Sequence, residues 1–380
     1  DVADPPRAGE PRDTPPAQVV LEGADDLSAG TAPVVDDYGA ELDAAPLGDL
    51  SLGRNLSDRP VVDVGGFAVV NVQTSSLDPM PRFEIGQLTL HTTMDLGPHF
   101  GGFAEVTVNS VPSWEVRVER LLLYWEPSDL LKVSIGRYHI PVTWWNATFH
   151  HGLWLQTTIR RPAIVGFNDA FVPNHAVGVL VDGRVPGLDF LALRYHASIT
   201  GGGNDHFYTH ATHGGEKPRL AYTGSLYVEP PALQHLRVGA VAYFDPERLR
   251  AERVTPETTV GAHVAWTGEE PEFIAEVVAV NHEEQNGGSA LLRTSYGGYG
   301  QVAWRLPWMD HAWKPYGRFD WIQLDKGDLA LDRAESQLLG TLGLRFDPVL
   351  WLSFKVDGAV RRIREQEPEL LGAFQMEAAW

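Results

Sequence analysis

Cysteine is absent from the 380-residue sequence, which excludes disulfide bonds, thiolate metal sites and a cysteine nucleophile. Long hydrophobic runs are absent as well. No stretch of about 18 apolar residues occurs, which excludes a membrane-spanning helix. The first residues, DVADPPRAGEPRD, lack the basic start and apolar core of a signal peptide. We therefore expect either a processed chain or a cytosolic one.

Positive charge is also scarce, with 30 Lys and Arg against 50 Asp and Glu and a net charge of −20. This balance argues against nucleic-acid binding, which needs a basic face. Residues 1–59 hold 13 acidic residues against four arginines and are rich in Pro and Ala without a sustained period. They are predicted to form an extended acidic N-terminal arm in the periplasm, with a periplasmic protein as a candidate partner.

From residue 60 onward the pattern alternates with period two, and helix signals are almost missing. This pattern predicts strands in sixteen segments of residues 60–380. The segments are 61–73, 82–95, 100–111, 114–127, 130–138, 175–184, 187–200, 217–229, 234–246, 257–268, 271–283, 289–305, 311–325, 334–347, 350–362 and 369–380.

The connections alternate between short turns on one side and longer loops on the other. The longer ones are 74–81, 139–174, 201–216, 247–256, 326–333 and 363–368. A soluble β-sandwich, the alternative interpretation, gives no reason for this alternation. A transmembrane barrel has short periplasmic turns and longer extracellular loops. We therefore predict an all-β fold, a transmembrane antiparallel β-barrel of 16 strands in the bacterial outer membrane.

Two strands break the alternation and predict β-bulges. RFEIGQLTLHT changes face near Gly86, and WEVRVERLLLYW places Arg120 on the wrong face unless it also bulges. Aromatic residues near strand ends are predicted to form the interface girdles of a membrane barrel. They are Tyr124, Trp125, Trp266, Trp304, Trp313, Trp321 and Trp380.

The longest loop, residues 139–174, is apolar and aromatic rather than polar. An apolar loop of this length needs a surface to pack on, and the inner wall of the barrel offers one. We therefore predict that this third extracellular loop folds inward and forms the pore constriction, with His150, His151, Arg160 and Arg161 as its polar groups. An outward lid or a subunit contact is the alternative.

Alternation places a mixed set of charges in the lumen, with a basic excess in which Arg dominates. The predicted basic pore-lining residues are Arg117, Lys132, Arg194, Arg219, Arg237, Arg293, Lys314, Arg318, Arg345, Lys355 and Arg361. Rings of one sign set selectivity in a pore, so a mild anion preference is expected. The alternative is that these charges pair across neighbouring strands, as Lys355 could with Glu377.

The passage LKVSIGRYHIPVTWW at residues 131–145 resembles the strand-to-loop passage of the phosphate-selective porin (O and P type) family. Lys132, Gly136, Tyr138 and Pro141 match its pattern. With the strand layout and the terminal aromatic, the resemblance covers residues 60–380. It implies a 16-stranded channel, often trimeric, whose phosphate-binding members line the pore with arginines and lysines. That ladder does not align residue by residue here.

Three histidines of one loop, His206, His210 and His213, have spacings that could bind a transition metal. A solvated loop is the favoured interpretation, so no metal or other cofactor is expected. His196 and Ser198 share a lumen face, but no nucleophile signature surrounds them, so no enzyme is predicted.

The sequence therefore predicts an outer-membrane porin for passive diffusion of small hydrophilic solutes, with a mild preference for anions. Its expected partners are outer-membrane lipid, these solutes and two further copies in a homotrimer. The alternative is a plugged or structural barrel that anchors an envelope assembly through residues 1–59.

Overall fold

The computed structural model describes residues 60–78, 80–110, 114–150, 152–166, 171–201, 220–250, 253–286, 289–331 and 334–380. The predicted arm, residues 1–59, lies outside this part of the chain. Within the described residues, sixteen strands occur. They are β1 (Val61–Ser75), β2 (Arg82–Asp95), β3 (Phe100–Asn109), β4 (Glu115–Ser128), β5 (Leu131–His139), β6 (His175–Arg184), β7 (Arg194–Thr200), β8 (Ala221–Val228), β9 (Leu236–Arg250), β10 (Arg253–Trp266), β11 (Glu272–Asn286), β12 (Ser289–Ala303), β13 (Trp313–Gln323), β14 (Gln337–Val349), β15 (Leu352–Ile363) and β16 (Glu369–Ala379).

The strands form one closed antiparallel barrel in which each pairs with its neighbours in the chain. β1 pairs with β16 from Phe67↔Ala379 to Ser75↔Leu371, which closes it. Beyond the last pair, Trp380 N donates to Gly66 O at 3.0 Å and Gly66 N donates to Trp380 O at 3.1 Å. Closure leaves no sheet edge with unpaired backbone groups. The predicted 16-stranded all-β barrel is confirmed.

Helical structure is limited to short segments. One α-helix, α1 (Trp144–Phe149), and four 3₁₀ turns (Ala163–Val165, Pro231–Leu233, Pro307–Met309 and Leu329–Leu331) are present in the described part of the chain. Among the same residues, none of the helices is long and apolar enough to cross a membrane.

Both predicted bulges are present. The β1–β2 register skips Gly86, since Val69 faces Gln87 while Val70 faces Ile85. The β3–β4 register shifts where Glu105 pairs with Arg120 and Val106 with Val118, which leaves Glu119 as the extra residue. The second shift brings Arg120 onto the same face as Glu105, and the two side chains form an ion pair.

Two strand boundaries differ from the sequence prediction. β7 begins at Arg194 rather than residue 187, because successive turns occupy the intervening segment, with Leu191 N bonded to Leu188 O and Ala192 N to Asp189 O. Residues 247–256 are not a long loop. β9 runs to Arg250 and β10 starts at Arg253, and the register shift falls at Pro256, a residue that cannot donate to the ladder.

The burial pattern of the barrel is the inverse of that of a soluble protein. Large apolar side chains point outward, such as Leu342, which is 75% exposed, and Val356, which is 51% exposed. The alternate positions are buried and often charged, such as Lys355 and Asp357 beside Val356. An apolar outer belt around a polar interior favours an outer surface in contact with lipid.

Aromatic side chains support this belt. Trp125, Trp304 and Trp380 are exposed at or beside strand ends, as predicted. Tyr124 does not join them. Its ring lies under the Lys132 ammonium, 4.1 Å from the ring centroid, and on the inner face close to Gly101.

The backbone conformation at position 136, in the motif of β5, requires glycine. Its φ is 138°, a conformation that L side chains rarely adopt. A Cβ at this position would lie 1.9 Å from Leu121 O on β4. Past this residue, both Tyr138 and its neighbour His139 are buried. Glycine is therefore the residue that allows β5 to pass this close to the backbone of β4 before the long loop begins.

Replacing Gly136 with alanine is expected to prevent barrel folding, because backbone strain of about 1–3 kcal/mol adds to the collision with Leu121 O. The refolded G136A chain should lack the fast-migrating folded band in unheated gel electrophoresis. G340A is the matched control, since a Cβ there meets nothing within 4 Å. A folded band of equal intensity for both variants would contradict this role of Gly136.

Candidate functional site

The long connection between β5 and β6, residues 140–174, is attached to strands on the far side of the barrel. We call it loop 3. Its helix α1 is capped by Thr143, whose hydroxyl oxygen accepts from Asn146 N at 3.0 Å. Trp144 N and Trp145 N donate to the buried carboxylate of Glu276 on β11, at 2.6 and 2.9 Å. The N–H groups of the first helical turn, which have no partner within the helix, thus bind the carboxyl group of Glu276 in the wall.

Apolar packing reinforces this attachment. Trp144, Trp145, Ile164 and Phe171 of loop 3 belong to a buried cluster with wall residues of several strands. At Gly297 on β12 a Cβ would lie 2.8 Å from Ile164 and 2.9 Å from Phe171, so the missing side chain makes room for the loop. The apolar side chains of loop 3, which led to the inward prediction, pack against buried residues of the wall.

Basic side chains of the last strands bind the peptide carbonyls of loop 3. Arg345 Nη1 donates to Trp154 O and Gln156 O at 3.0 and 3.1 Å. Lys355 Nζ donates to Leu153 O and Gln156 O, both at 2.8 Å. Hydrogen bonds from charged donors are about twice as strong as neutral ones. These two residues therefore fix the segment 153–156 against β14 and β15.

Arg318 on β13 makes the densest contact with loop 3. Its guanidinium donates to Thr158 Oγ1 at 2.7 Å, to Arg160 O at 2.6 Å and to Arg161 O at 2.9 Å, and to Asp320 Oδ2 at 2.9 Å. Arg318 is fully buried, so these bonds replace its lost hydration. The planar fork of arginine suits this use, because it can serve several acceptors at once.

Acidic side chains of the wall bind donors of the same loop. Asp320 accepts from Ala163 N at 2.9 Å, and Glu272 accepts from Thr157 Oγ1 at 2.8 Å. Asp357 on β15 forms an ion pair with Arg160 of the loop. Loop 3 is thus held through both its carbonyl oxygens and its N–H and side-chain donors.

The predicted constriction residues have different environments. Arg160 is paired with Asp357. Arg161 is mostly buried, and its Nη1 lies 3.3 and 3.2 Å from the two ring nitrogens of His150. His150 ends α1 and is itself buried. The structure therefore brings Arg161 and His150 together and directs Arg160 to β15. His151 lies outside the described residues.

Each predicted pore-lining base in the described part of the chain lies beside an acid. The pairs are Arg117 with Glu115, Lys132 with Glu126, Arg194 and Arg237 with Glu229, Arg293 with Glu284 and Asp325, Lys314 with Glu269 and Glu272, Arg318 with Asp320, Arg345 with Asp347, Lys355 with Glu377, and Arg361 with Glu369. Arg219 and the candidate ligands His206, His210 and His213 lie outside the described residues. The basic excess inferred from alternation is therefore largely neutralised locally.

Sequence reasoning missed the residues that anchor loop 3. Alternation placed Arg318 on the inner face, but it gave this residue no partner in the loop, and it did not single out Glu276 or Asp320 as candidate site residues. Glu276 and Trp144 are 132 positions apart, and no period links them. A polar residue on the inner face at mid-strand was the available signal, because such a group needs a partner once a loop covers it.

Comparison with solved structures identifies the architecture. An anion-selective porin from Comamonas acidovorans superposes with a TM-score of 0.61 at 10% identity, over 85% of this chain and 100% of that one. The outer-membrane channel DcaP of Acinetobacter baumannii gives 0.58 at 11% identity, over 87% and 100%. The trimer form of OmpT from Vibrio cholerae gives 0.57 at 12% identity, over 85% and 100%. The fold is that of the outer-membrane porins.

No protein-family model matches the sequence, and no curated protein does. The identities of 10–12% to the porins are low enough that the likeness concerns the fold alone.

Arg345 provides a test of the loop attachment. R345Q removes two charge-assisted bonds to loop 3, while Asp347 keeps Arg305 as a partner at 2.9 Å. With one charged hydrogen bond contributing about 1.5–3 kcal/mol, hydrogen exchange of peptides covering 153–157 should accelerate roughly tenfold or more. R293Q is the control, because Arg293 pairs with Glu284 and Asp325 rather than with the loop. Equal exchange in both variants would contradict the attachment.

Glu269 gives the site a pH dependence. It lies in the turn between β10 and β11, 2.8 Å from Lys314 Nζ and 2.5 Å from Arg305 Nε. Burial opposes its ionisation, but these two cations outweigh burial and lower its pKa from 4.5 to about 2. Because the folded pKa is below the unfolded value, the ionised group stabilises the fold above about pH 4.5 and the contribution is lost as pH falls to about 2.

E269Q should therefore unfold at lower urea concentration than the native chain at pH 7, and the difference should shrink between pH 4.5 and pH 2. Urea midpoints measured by tryptophan fluorescence across this range give the result. E367Q, at an exposed glutamate before β16, should show no such trend. A pH-independent effect of E269Q would show that the contribution is not the ionised carboxylate.

Proposed function

We propose that this chain is a porin of a Gram-negative outer membrane, through which small hydrophilic solutes diffuse passively. The observation that supports this function is the inverted burial of a closed barrel, with apolar side chains outside and charged ones inside. Such an outer face is stable against lipid, and closure satisfies the backbone without water. The porin fold of the structural neighbours agrees with this role.

In this proposal loop 3 forms the constriction. Its attachment to β11 and to β13–β15 through Glu276, Arg318 and Lys355 supports a path of the loop across the barrel interior rather than over the mouth. Arg160, Arg161 and, from the sequence, His151 are the polar groups proposed to border the opening, and the buried His150 lies beside Arg161. Transport then follows from size exclusion and the field of the wall, without covalent chemistry, and no catalytic role is proposed.

A mild anion preference is the selectivity that we propose. It is supported by the arginines of the inner wall and by the anion-selective porin of C. acidovorans, which shares the fold. The preference is expected to be mild because the described basic residues predicted to line the pore are each paired with an acid. Phosphate selectivity, which the family resemblance suggested, has no separate support in these pairs.

A homotrimer is proposed by analogy with OmpT of V. cholerae, which has a trimer form. Residues 1–59 are proposed to extend into the periplasm, where their acidic character suits a basic partner. Sedimentation of the detergent-solubilised chain measures the oligomer directly, and a monomer would contradict the trimer without affecting the porin.

Planar-bilayer recording tests the function. Folded protein should give stable single-channel steps, and a KCl gradient should give a reversal potential of the sign for Cl⁻ permeation. Deleting residues 1–59 should leave the conductance unchanged. Heat-unfolded protein is the control.

Two outcomes would overturn parts of this proposal. A silent native chain whose deletion variant conducts would establish the plugged barrel. A reversal potential of the opposite sign would retain the porin but reject the anion preference.

A further inference from the structure

Three histidines converge where loop 3 leaves and rejoins the wall. His139, His150 and His175 each place a ring nitrogen so that these atoms all lie within 4.8 Å of one another. The ring centroids are 4.6–5.1 Å apart. The planes are inclined by 53°, 70° and 88°, so the rings meet by their edges rather than stacking in parallel.

The fold fixes this arrangement from three directions. His139 ends β5 and His175 begins β6, and they are partners in the β5–β6 register. His150 reaches them as the residue that follows the last turn of α1. Each histidine lies on a fixed segment, because β5 and β6 pair with each other and α1 is bound by Glu276. His139 and His150 are almost fully buried and His175 is mostly buried.

The buried carboxylate of Glu119 lies next to the His175 ring. Glu119, the extra residue of the β4 bulge, places Oε2 3.2 Å from His175 Nε2 and accepts from Thr107 Oγ1 through its other oxygen at 2.8 Å. Histidine ligands of metals commonly donate their second N–H to such a carboxylate, which fixes the ring and makes the ligating nitrogen more basic. Because Glu119 lies beside Nε2, Nδ1 is the nitrogen of His175 that is left to ligate an ion.

We propose that His139, His150 and His175 bind a divalent transition-metal ion, with Zn²⁺ as the preferred species. Imidazole nitrogens suit this class of ion, and three protein ligands leave the fourth tetrahedral position for water. Ligand atoms about 2.0–2.1 Å from zinc are about 3.4 Å apart in a tetrahedron. A contraction on the order of 1 Å from the present spacing is therefore sufficient.

Arg161 opposes this ion and sets a condition on binding. Its guanidinium lies against the His150 ring, so it must move away when the metal enters. Glu119 and the nearby Glu105, both buried, carry negative charge near the site, where Arg137 and Arg120 are their cationic partners. Removing the guanidinium should therefore increase affinity, which a purely structural histidine cluster would not predict.

The consequence of binding is mechanical. One ion would join the last residue of β5, the first residue of β6 and the helix of loop 3, so that both ends of the loop and its helix share one attachment. The proposal concerns metal binding in its own right and holds whether or not the barrel conducts. The three ligands are distinct from the loop histidines at 206, 210 and 213.

The test uses the untagged full chain, refolded with or without ZnCl₂, in which His206, His210 and His213 are replaced by Gln. Metal analysis after gel filtration should give one Zn²⁺ per chain, and Co²⁺ should give the visible absorption of a nitrogen-ligated tetrahedral ion. H150Q and H139Q should each weaken Zn²⁺ binding by about 100-fold or more, beyond the 10–100-fold expected for E119Q. R161Q should bind more tightly.

H196Q is the matched control, because His196 is a buried histidine on the inner wall outside the cluster, and its affinity should equal that of the parent. Folding of every variant is checked by the heat-dependent gel shift. Absence of Zn²⁺ and of the Co²⁺ spectrum in the folded parent chain would overturn the proposal. So would equal affinity of H139Q, H150Q and H196Q, or binding that requires the three replaced loop histidines.

Discussion

The structure depends on the requirement that every backbone N–H and C=O of the wall be bonded within the wall. Pairing of β1 with β16 closes the last sheet edge, and the outer face can then be apolar because no edge strand exposes polar backbone. Because the barrel is closed, its packed side chains lie inside the barrel. Charged residues that would cover the surface of a soluble protein instead face inward, where they need partners.

Loop 3 supplies many of those partners. Its carbonyls accept from Arg318, Arg345 and Lys355, and its first-turn N–H groups donate to Glu276. Other charged side chains of the wall form ion pairs with neighbouring strands, such as Lys355 with Glu377. An inner wall of alternating charges therefore holds the loop and, in the proposed porin, would also set the electrostatic field that a solute meets.

Local periodicity made the wall predictable. Alternation gave the strands and the inner face, and its failures near Gly86 and Arg120 identified the two bulges, since a single extra residue reverses every later side chain. The start of β7 was mispredicted because residues 187–193 alternate like a strand, while turns through Leu188 and Asp189 take up the segment.

The site was less predictable because its contacts join distant parts of the chain. No local pattern pairs Trp144 with Glu276 or Arg318 with Arg160. The His139–His175 pair was accessible in principle, because the residues that flank a loop between antiparallel neighbours face each other. The approach of His150 depends on how α1 docks, and this the sequence does not encode in any short-range signal.

The opposite solvents of the two barrel faces are the central claim, and the absence of cysteine makes it directly measurable. Single cysteines at 338–345 of β14 can carry a nitroxide in liposome-embedded protein, with collisions to O₂ and to a water-soluble nickel chelate compared by electron paramagnetic resonance. The account predicts O₂ contact that alternates with period two and peaks at Leu338 and Leu342, which are exposed, with minima at Leu339 and Thr341, which are buried. Greater contact with the nickel chelate than with O₂ at Leu338 and Leu342 would contradict it.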